Sequence, residues 1–413
     1  MIKVSSAMSI ITPDRPCYLA GYANRNEKSK GVHDDLKCVA LVIKTGETPV
    51  VMCSLDILLV YKEMVNSIKA EVSAKHGVDP DNIMIASIHT HAGPELRSSR
   101  LPVVNECEDS KFFEQYKEFL IKKTIETIDR CFEQGFTDAE AEYRVVNVDG
   151  FYGCRVDAAV AGDKSVALVR FVANGRIVGG FVNMACHPTV LGQDNYVISA
   201  DLLGYVCRKL AEEWGVFPVT VQGCCGDMSN RHFRKGHDFA ELERTGEGVF
   251  NQLSGGEYKP LTLGEPQNTV YNYRDEYDVD VDFFKNLSAK IEKQLESATE
   301  FEARKMLQSS LKGIEIRLSK PHVTVDLDYS VHNIGELQLI CLPGELFSRF
   351  GLEIKAASAA KLPIIWGYCN DYGGYMPGAE DYGVTYESTM AMLPKGATEK
   401  ITAELCGIAG KKI

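Results

Sequence analysis

Three histidines at the ends of short apolar runs are the first residues here whose types and spacing suit chemistry. His89 and His91 lie in His89-Thr90-His91-Ala92-Gly93-Pro94 after the run Asn82–Ile88, and His187 lies in Cys186-His187-Pro188 after Ile177–Ala185. Alternation along an extended backbone puts both imidazoles of an HxH pair on one side. A carboxylate arrives in the same way, where Leu337–Leu342 runs into Pro343-Gly344-Glu345. Imidazole and carboxylate are the ligands zinc prefers after thiolate, and a catalytic zinc keeps one position open for water or substrate. Two more runs end in groups that could take part. Pro218–Val221 leads into Gln222-Gly223-Cys224-Cys225-Gly226-Asp227-Met228-Ser229-Asn230, a small-residue turn presenting Ser229, and Pro363–Tyr368 leads into Cys369-Asn370-Asp371-Tyr372-Gly373-Gly374-Tyr375. Each signal has an ordinary structural alternative. A Glu at a helix start meets the helix dipole favourably, Gly-Asp-x-Ser makes a common turn, and a lone His after a strand is often only hydrogen-bonded. His33, in Gly31-Val32-His33-Asp34-Asp35, we read as structural. The coincidence of these groups at strand ends points to a metal-assisted site.

The elements that must position them follow from periodicity. Besides the runs above, Cys38–Lys44, Val50–Ser54 and Val166–Val172 read as strands, while Lys62–Lys75, Lys111–Gln134, Leu202–Trp214, Phe283–Glu300 and Glu345–Ala359 carry helical periodicity. This alternation predicts an α/β fold, with mixed sheets flanked by helices and the site at the carboxyl ends of the strands. We expect one domain over residues 1–413, with a long loop excursion at about 231–280 that is poor in periodic apolar positions. Phe239–Phe250 within it could form a short helix.

Composition narrows the partners. The hydrophobic fraction of 45% and charged fraction of 25% are those of an ordinary globular chain. A net charge of −12 argues against nucleic acid or an anionic membrane surface as partner. The N-terminal residues from Met1 to Pro13 hold no unbroken apolar run like that of a secretory signal. No stretch is long and apolar enough to predict a transmembrane helix. Thirteen scattered cysteines, with no CxxC pair, predict neither a disulfide framework nor a thiolate zinc site, and suggest a reducing, cytoplasmic setting. Oligomeric state is not readable from the sequence.

Taken in order, the segments resemble the neutral (non-lysosomal) ceramidase family over nearly the whole chain. Ile11-Thr12-Pro13, Ala20-Gly21-Tyr22-Ala23 and Gly31-Val32-His33 are similar to its opening. Ser87-Ile88-His89-Thr90-His91-Ala92-Gly93-Pro94 resembles its THTHSGP segment, and Cys186-His187-Pro188-Thr189 with Ile198-Ser199-Ala200-Asp201 resembles its HPT…SxD element. Gly226-Asp227-Met228-Ser229 is similar to GDxS, Leu342-Pro343-Gly344-Glu345 to PGE, and Asn370-Asp371-Tyr372-Gly373-Gly374-Tyr375…Tyr386-Glu387 to NxYxxY…YE. The resemblance implies one zinc per chain, held by His89, His187, Glu345 and Tyr386, with His91 beside it as a proton-transfer group. It also implies Ser229 as nucleophile or contact to the reacting centre, Tyr375 as oxyanion donor, and Arg155 and Asn370 on the substrate side.

The sequence departs from the family at Asn230-Arg231, where Pro-Asn is usual, and in having Tyr375 and Tyr386 one residue closer. Because the chain ends at Ile413, soon after Tyr386-Glu387, no C-terminal immunoglobulin-like domain is expected. The implied activity is zinc-dependent cleavage of a carboxamide, in ceramide or equally in a small polar amide. Ester, lactone or phosphoester cleavage at the same site, or binding without catalysis, are the competing readings.

Overall fold

The computed structural model of the chain describes residues 2–22, 25–97 and 109–411, so Met1, Ala23 and Ile413, named above, lie outside the described residues. The longer strands are β1 (Ile2–Ile10), β2 (Lys37–Thr45), β3 (Thr48–Leu55), β4 (Ile83–Ser87), β5 (Thr137–Asn147), β6 (Ser165–Ala173), β7 (Arg176–Met184), β8 (Val219–Gln222), β9 (Gln267–Asp278), β10 (His322–Ile334), β11 (Leu337–Cys341) and β12 (Leu362–Trp366). The helices are α1 (Lys62–His76), α2 (Ser110–Glu133), α3 (Asp201–Trp214), α4 (Phe239–Leu253), α5 (Val281–Ser297), α6 (Phe301–Ser319), α7 (Ser348–Ala357), α8 (Tyr386–Met390) and α9 (Ala397–Ala409).

The larger, nine-stranded sheet runs β8-β7-β6-β5-β1-β2-β3-β4, with Lys259–Pro260 added to β5, and the smaller one runs β9-β10-β11-β12. Both mix antiparallel pairs with parallel ones. The parallel pairs β3/β4, β7/β8 and β11/β12 are each bridged by a helix, α1, α3 and α7 respectively. These crossovers bring the strands carrying the candidate residues to a common end.

Four layers result. Cys38, Ala40 and Val42 of β2 face a core built with Met64 and Ile68 of α1 and Leu120 and Ile128 of α2. The alternate residues Val39, Leu41 and Ile43 face a second core shared with Leu337, Leu339 and Ile364 of the smaller sheet. Beyond that sheet, Val325, Leu327 and Ile340 pack against Phe350 and Ile354 of α7 and Leu405 of α9. β2 is therefore buried on both faces, which is why it reads as an unbroken apolar run.

The strands that periodicity did not reveal differ in kind. β9 and β10 pair antiparallel over twelve residues from Gln267↔Asn333 to Asp278↔His322. One face of β9 is largely in solvent, so charged residues alternate along it. The expected loop excursion at 231–280 is thus corrected: it holds α4 and β9, with Asp238 capping α4 through the N–H of Glu241. The helix expected over Glu345–Ala359 is also shorter. It begins at Ser348, and Glu345–Leu346 is instead a two-residue strand parallel to Tyr375–Met376.

The hairpin of α5 and α6 is inserted between β9 and β10 and has its own small core of Val279, Phe284, Leu287, Ile291 and Ile314. Among the described residues, no helix is long and apolar enough to cross a membrane.

Candidate metal and active site

β4, β7 and β11 deliver His89, His187 and Glu345 from three crossovers to one point. The convergence depends on β8, at one edge of the larger sheet, folding against β3 near the other: the N–H of Thr220 on β8 donates to Ser54 Oγ on β3 at 3.1 Å. The smaller sheet closes against the same place, since Asn183 Nδ2 on β7 donates to the carbonyls of Val221 and Ile365 at 3.0 and 2.9 Å. Asn370 N donates to Ile85 O at 2.7 Å, and Gly367 N donates to Gln222 O at 2.8 Å.

The histidine pair reaches the site by a turn. β4 ends at Ser87, and His89 has φ +68°, in the left-handed region. The two imidazoles nonetheless meet, with Nε2 atoms 3.3 Å apart. The expected extended backbone is therefore corrected to a left-handed kink, which a β-strand end allows only where surrounding contacts hold it. Those contacts are present: Thr90 Oγ1 donates to Ser199 O at 2.8 Å, and Ser199 N donates to Ala92 O at 3.1 Å. Gly21, at φ +88°, is needed beside them, because a Cβ there would lie 2.3 Å from His91 Nδ1.

His89, His91 and His187 form a group whose ligand atoms all lie within 4.8 Å of one another. Glu345 joins it, with Oε2 at 3.0 Å from His187 Nε2 and 3.7 Å from His89 Nε2. The protons on this group can be assigned from its neighbours. His89 Nδ1–H donates to Leu58 O at 3.0 Å, and His187 Nδ1–H donates to Cys225 O at 2.5 Å. Nε2 of each ring then carries a lone pair, with His91 Nε2 3.3 Å from that of His89 and Tyr375 Oη 3.4 Å from that of His187. Glu345 is an acceptor as well, taking the hydroxyl protons of Tyr368 at 3.1 Å and Tyr372 at 2.5 Å.

Three lone pairs thus face each other with no proton between them, an arrangement that a cation satisfies. Burial reinforces this. His89 is pushed down to about 3, chiefly by desolvation, and desolvation also carries His91 and His187 well below the usual imidazole range. Neutral imidazole is the form that binds metal, and backbone carbonyls that orient ligand imidazoles are the usual second tier of such sites.

Of the remaining expected residues, Tyr375 and Tyr386 line the same cavity as His89 and His91. Tyr375 Oη accepts from Arg155 Nη2 at 3.1 Å and, with the His187 proton on Nδ1, its hydroxyl donates to His187 Nε2 at 3.4 Å. Burial raises the Tyr375 hydroxyl well above the ordinary range, keeping it a donor. Tyr386 opens α8 and packs edge-on to Tyr375, ring centroids 6.1 Å apart.

Arg155 is buried behind these rings and off the cavity wall. It donates to Glu387 Oε1 at 2.8 Å and to Gly226 O at 2.9 Å, which holds Tyr375 in place. Asn370 is off the wall too, its amide oxygen accepting from Ile85 N at 3.0 Å. Ser229 Oγ accepts from Arg231 N at 3.1 Å, and among the described residues no imidazole contact to it is recorded. His33 stacks on Phe239 with ring centroids 4.0 Å apart, away from the site.

Several supports were not legible in sequence. Gly226 allows its turn to touch the Glu345 strand, since a Cβ there would meet Glu345 O at 2.3 Å. Asp201 accepts from the N–H groups of Val190 and Leu191 in the loop after His187. Arg25, fully buried, donates to the carbonyls of His91, Ala20 and Gly192, tying the two histidine loops together. A charged residue with so little exposure must be fully hydrogen-bonded, but nothing in its local sequence says to what.

The cavity has a volume of about 380 Å³. Its blind end holds His89, His91, Glu345, Tyr372, Tyr375 and Tyr386, and its walls include Leu58, Leu59, Leu96, Ile316, Met390 and Met392.

Residues 7–140 match the family described as neutral/alkaline non-lysosomal ceramidase, N-terminal. The neutral ceramidase of Oryza sativa subsp. japonica is 25% identical over 253 residues, covering 55% of this chain and 31% of that protein. Neutral ceramidase 2 of Arabidopsis thaliana is 24% identical over 229 residues, covering 50% of this chain and 29% of that protein. The matched part therefore spans about a third of the length of these curated relatives. Among solved structures, neutral ceramidase from Pseudomonas aeruginosa superimposes with a TM-score of 0.74 at 18% identity, covering 99% of this chain and 74% of that one. A ceramidase complexed with C2 gives 0.72 at 17%, with the same coverage. At that identity the likeness to the solved structures is one of fold.

Proposed function

We propose that this chain, whose residues 7–140 match the neutral/alkaline non-lysosomal ceramidase family and whose fold is like that of solved neutral ceramidases, is a zinc-dependent hydrolase that cleaves a carboxamide. The observation that carries this reading is the convergence of lone pairs from His89, Glu345 and, just behind the wall, His187 at the blind end of an apolar cavity, beside the Tyr375 hydroxyl. Zinc is the metal that a His and carboxylate set of this kind suits, with Tyr386 completing the ligands. When bound there it would polarise the carbonyl and lower the pKa of a water toward neutrality.

The chain's own residues have separable tasks. His91 is the more exposed of the three imidazoles and is held neutral by burial, so it is placed to take and return a proton. Its Nδ1 is buried without a partner. Tyr375 has its oxygen engaged by Arg155, and with His187 Nε2 taken by a cation its proton is released to the oxygen on which charge develops. Glu345 is fixed by two tyrosine hydroxyls and cannot swing away. Ser229 lacks a recorded base, which a serine nucleophile requires. We therefore assign the attack to water, and Ser229 to the turn that pairs with His187.

The apolar walls favour an acyl amide over a small polar one. The test is metal analysis and amine release from N-acyl amides and matched esters. About one zinc per chain is expected, with amide cleavage lost on chelation and restored by zinc. A His89→Ala protein that kept both its metal and its activity would sink the proposal.

A further inference from the structure

The mouth of the cavity does not match its walls. Arg97, Arg317, Lys320 and His322 line it together with, among the described residues, one carboxylate besides Glu345, that of Glu95. His322 is offset by Glu276 at 2.7 Å and Asp278 at 2.9 Å, and Arg97 stacks on Phe113. Arg317 also stacks, on Phe284 at 4.9 Å, so what sets it and Lys320 apart is the lack of a recorded carboxylate partner. Arg317 Nη2 donates to the neutral hydroxyl of Tyr277 at 2.9 Å, and its Nε is buried without a hydrogen-bond partner. Lys320 is exposed, and among the described residues neither cation has a recorded carboxylate partner. Cations suit the end of a helix such as α6, which accounts for their presence on it. It does not account for their facing into a cavity, in a chain of net charge −12 that offers carboxylates in excess.

The blind end and the mouth are joined by the apolar wall of Leu58, Leu59, Leu96, Ile316, Met390 and Met392. We infer that the cavity takes an amide whose apolar arm runs outward from the imidazole cluster and ends at the mouth in an anionic group, held by Arg317 and Lys320. The carboxyl of Glu95 does not oppose this strongly, since burial raises it to about 7 and leaves it half protonated near neutrality. The inference rests on the amide-hydrolase reading, which fixes the scissile bond at the blind end.

Two substrates separate the possibilities: the mono-N-methylamide of dodecanedioic acid with its far carboxyl free, and the same amide with that carboxyl as methyl ester. We expect kcat/KM to favour the free carboxylate by about tenfold in the zinc-loaded, full-length protein, the size of one partly exposed charge-assisted contact. The ratio should shrink with added salt, fall toward one in Lys320→Ala, and drop below one in Lys320→Glu. Arg317→Lys should retain most of it.

Equal kcat/KM for the two amides, or a ratio that Lys320→Glu leaves unchanged, overturns the inference while the hydrolase reading stands. Equilibrium binding of both compounds is measured in parallel. Tighter binding of the carboxylate that Lys320→Glu abolishes, with neither amide cleaved, upholds the mouth assignment and removes the hydrolase reading instead.

Discussion

At its blind end the cavity is built on side chains each fixed by a second group, with lone pairs left facing one another; at its mouth Arg317 and Lys320 have no recorded carboxylate partner among the described residues. His187 and Glu345 are 0% and 1% exposed, each fixed by a second group, and they sit on strand ends shared by two sheets. Arg317 and Lys320 sit on the last turn of an inserted hairpin with its own small core, joined to the rest where Gly313 of α6 meets Met390 and Thr389 of α8. Rigid strand ends hold atoms to the tolerance a reaction needs, while an inserted hairpin can change its residues without disturbing them. On the proposed function, bond breaking belongs to the one and substrate choice to the other.

That division can be broken at either end. The largest effect belongs to Tyr375→Phe, which removes one donor to the developing oxyanion: kcat should fall by about 10²–10³ for every substrate, with KM little altered. A loss confined to some substrates would show that Tyr375 recognises rather than catalyses.

Next is acid sensitivity of the metal-stripped protein. His89 titrates at about 3 in the fold, and burial holds His91 and His187 well below their usual value, whereas unfolded imidazole titrates at 6.5. Above that value the stability is fully present. As pH falls from there toward about 3, the unfolded chain takes up protons that the folded one refuses, so stability is lost. The loss is up to ~1.4 kcal/mol per pH unit for each histidine. Urea midpoints should therefore drop clearly between about pH 7 and about pH 5.5, and a level midpoint would mean that the blind end admits water more freely than its burial implies.

The smallest effect tests the hinge between the two regions. A Cβ on Gly313 would lie 2.7 Å from Met390 Sδ and 2.8 Å from Thr389 Oγ1. Gly313→Ala should lift α6 off α8, raising KM about three- to tenfold for long acyl amides with kcat held within about twofold, as expected of an overpacked contact of about 1 kcal/mol. A fall in kcat instead would tie α6 to the chemistry through α8 and Tyr386.

Much of the blind end was legible because its strands are buried on both faces and therefore read as apolar runs ending in unusual residues. Cys38–Lys44 and Ile177–Ala185 agree with β2 and β7 to within a residue or two at each end. Little of the mouth was legible. β10 turns Val325, Leu327 and Tyr329 inward and leaves Asp326 and Asp328 out, and β9 alternates in the same way, so their polar residues hid them. α6 falls in the stretch between Glu300 and His322 where no helix was expected. Arg317 and Lys320 drew no notice, because a cation at a helix end is ordinary until its neighbours are known.

By itself the sequence determined the α/β class, the strand ends that carry His89, His187 and Glu345, and the neutral/alkaline ceramidase resemblance. The tertiary structure decided the rest. It turned His89 into a left-handed conformation so that two imidazoles meet. It took Arg155 and Asn370 off the cavity wall and gave them to Tyr375 and β4. It also set two cations from an inserted hairpin over an apolar cavity. The physical reason is that periodicity reports how much of each residue is buried, which is a local quantity. Which lone pair faces which, and which charge lacks a partner, depends on groups hundreds of residues apart, as with Arg155 and Glu387.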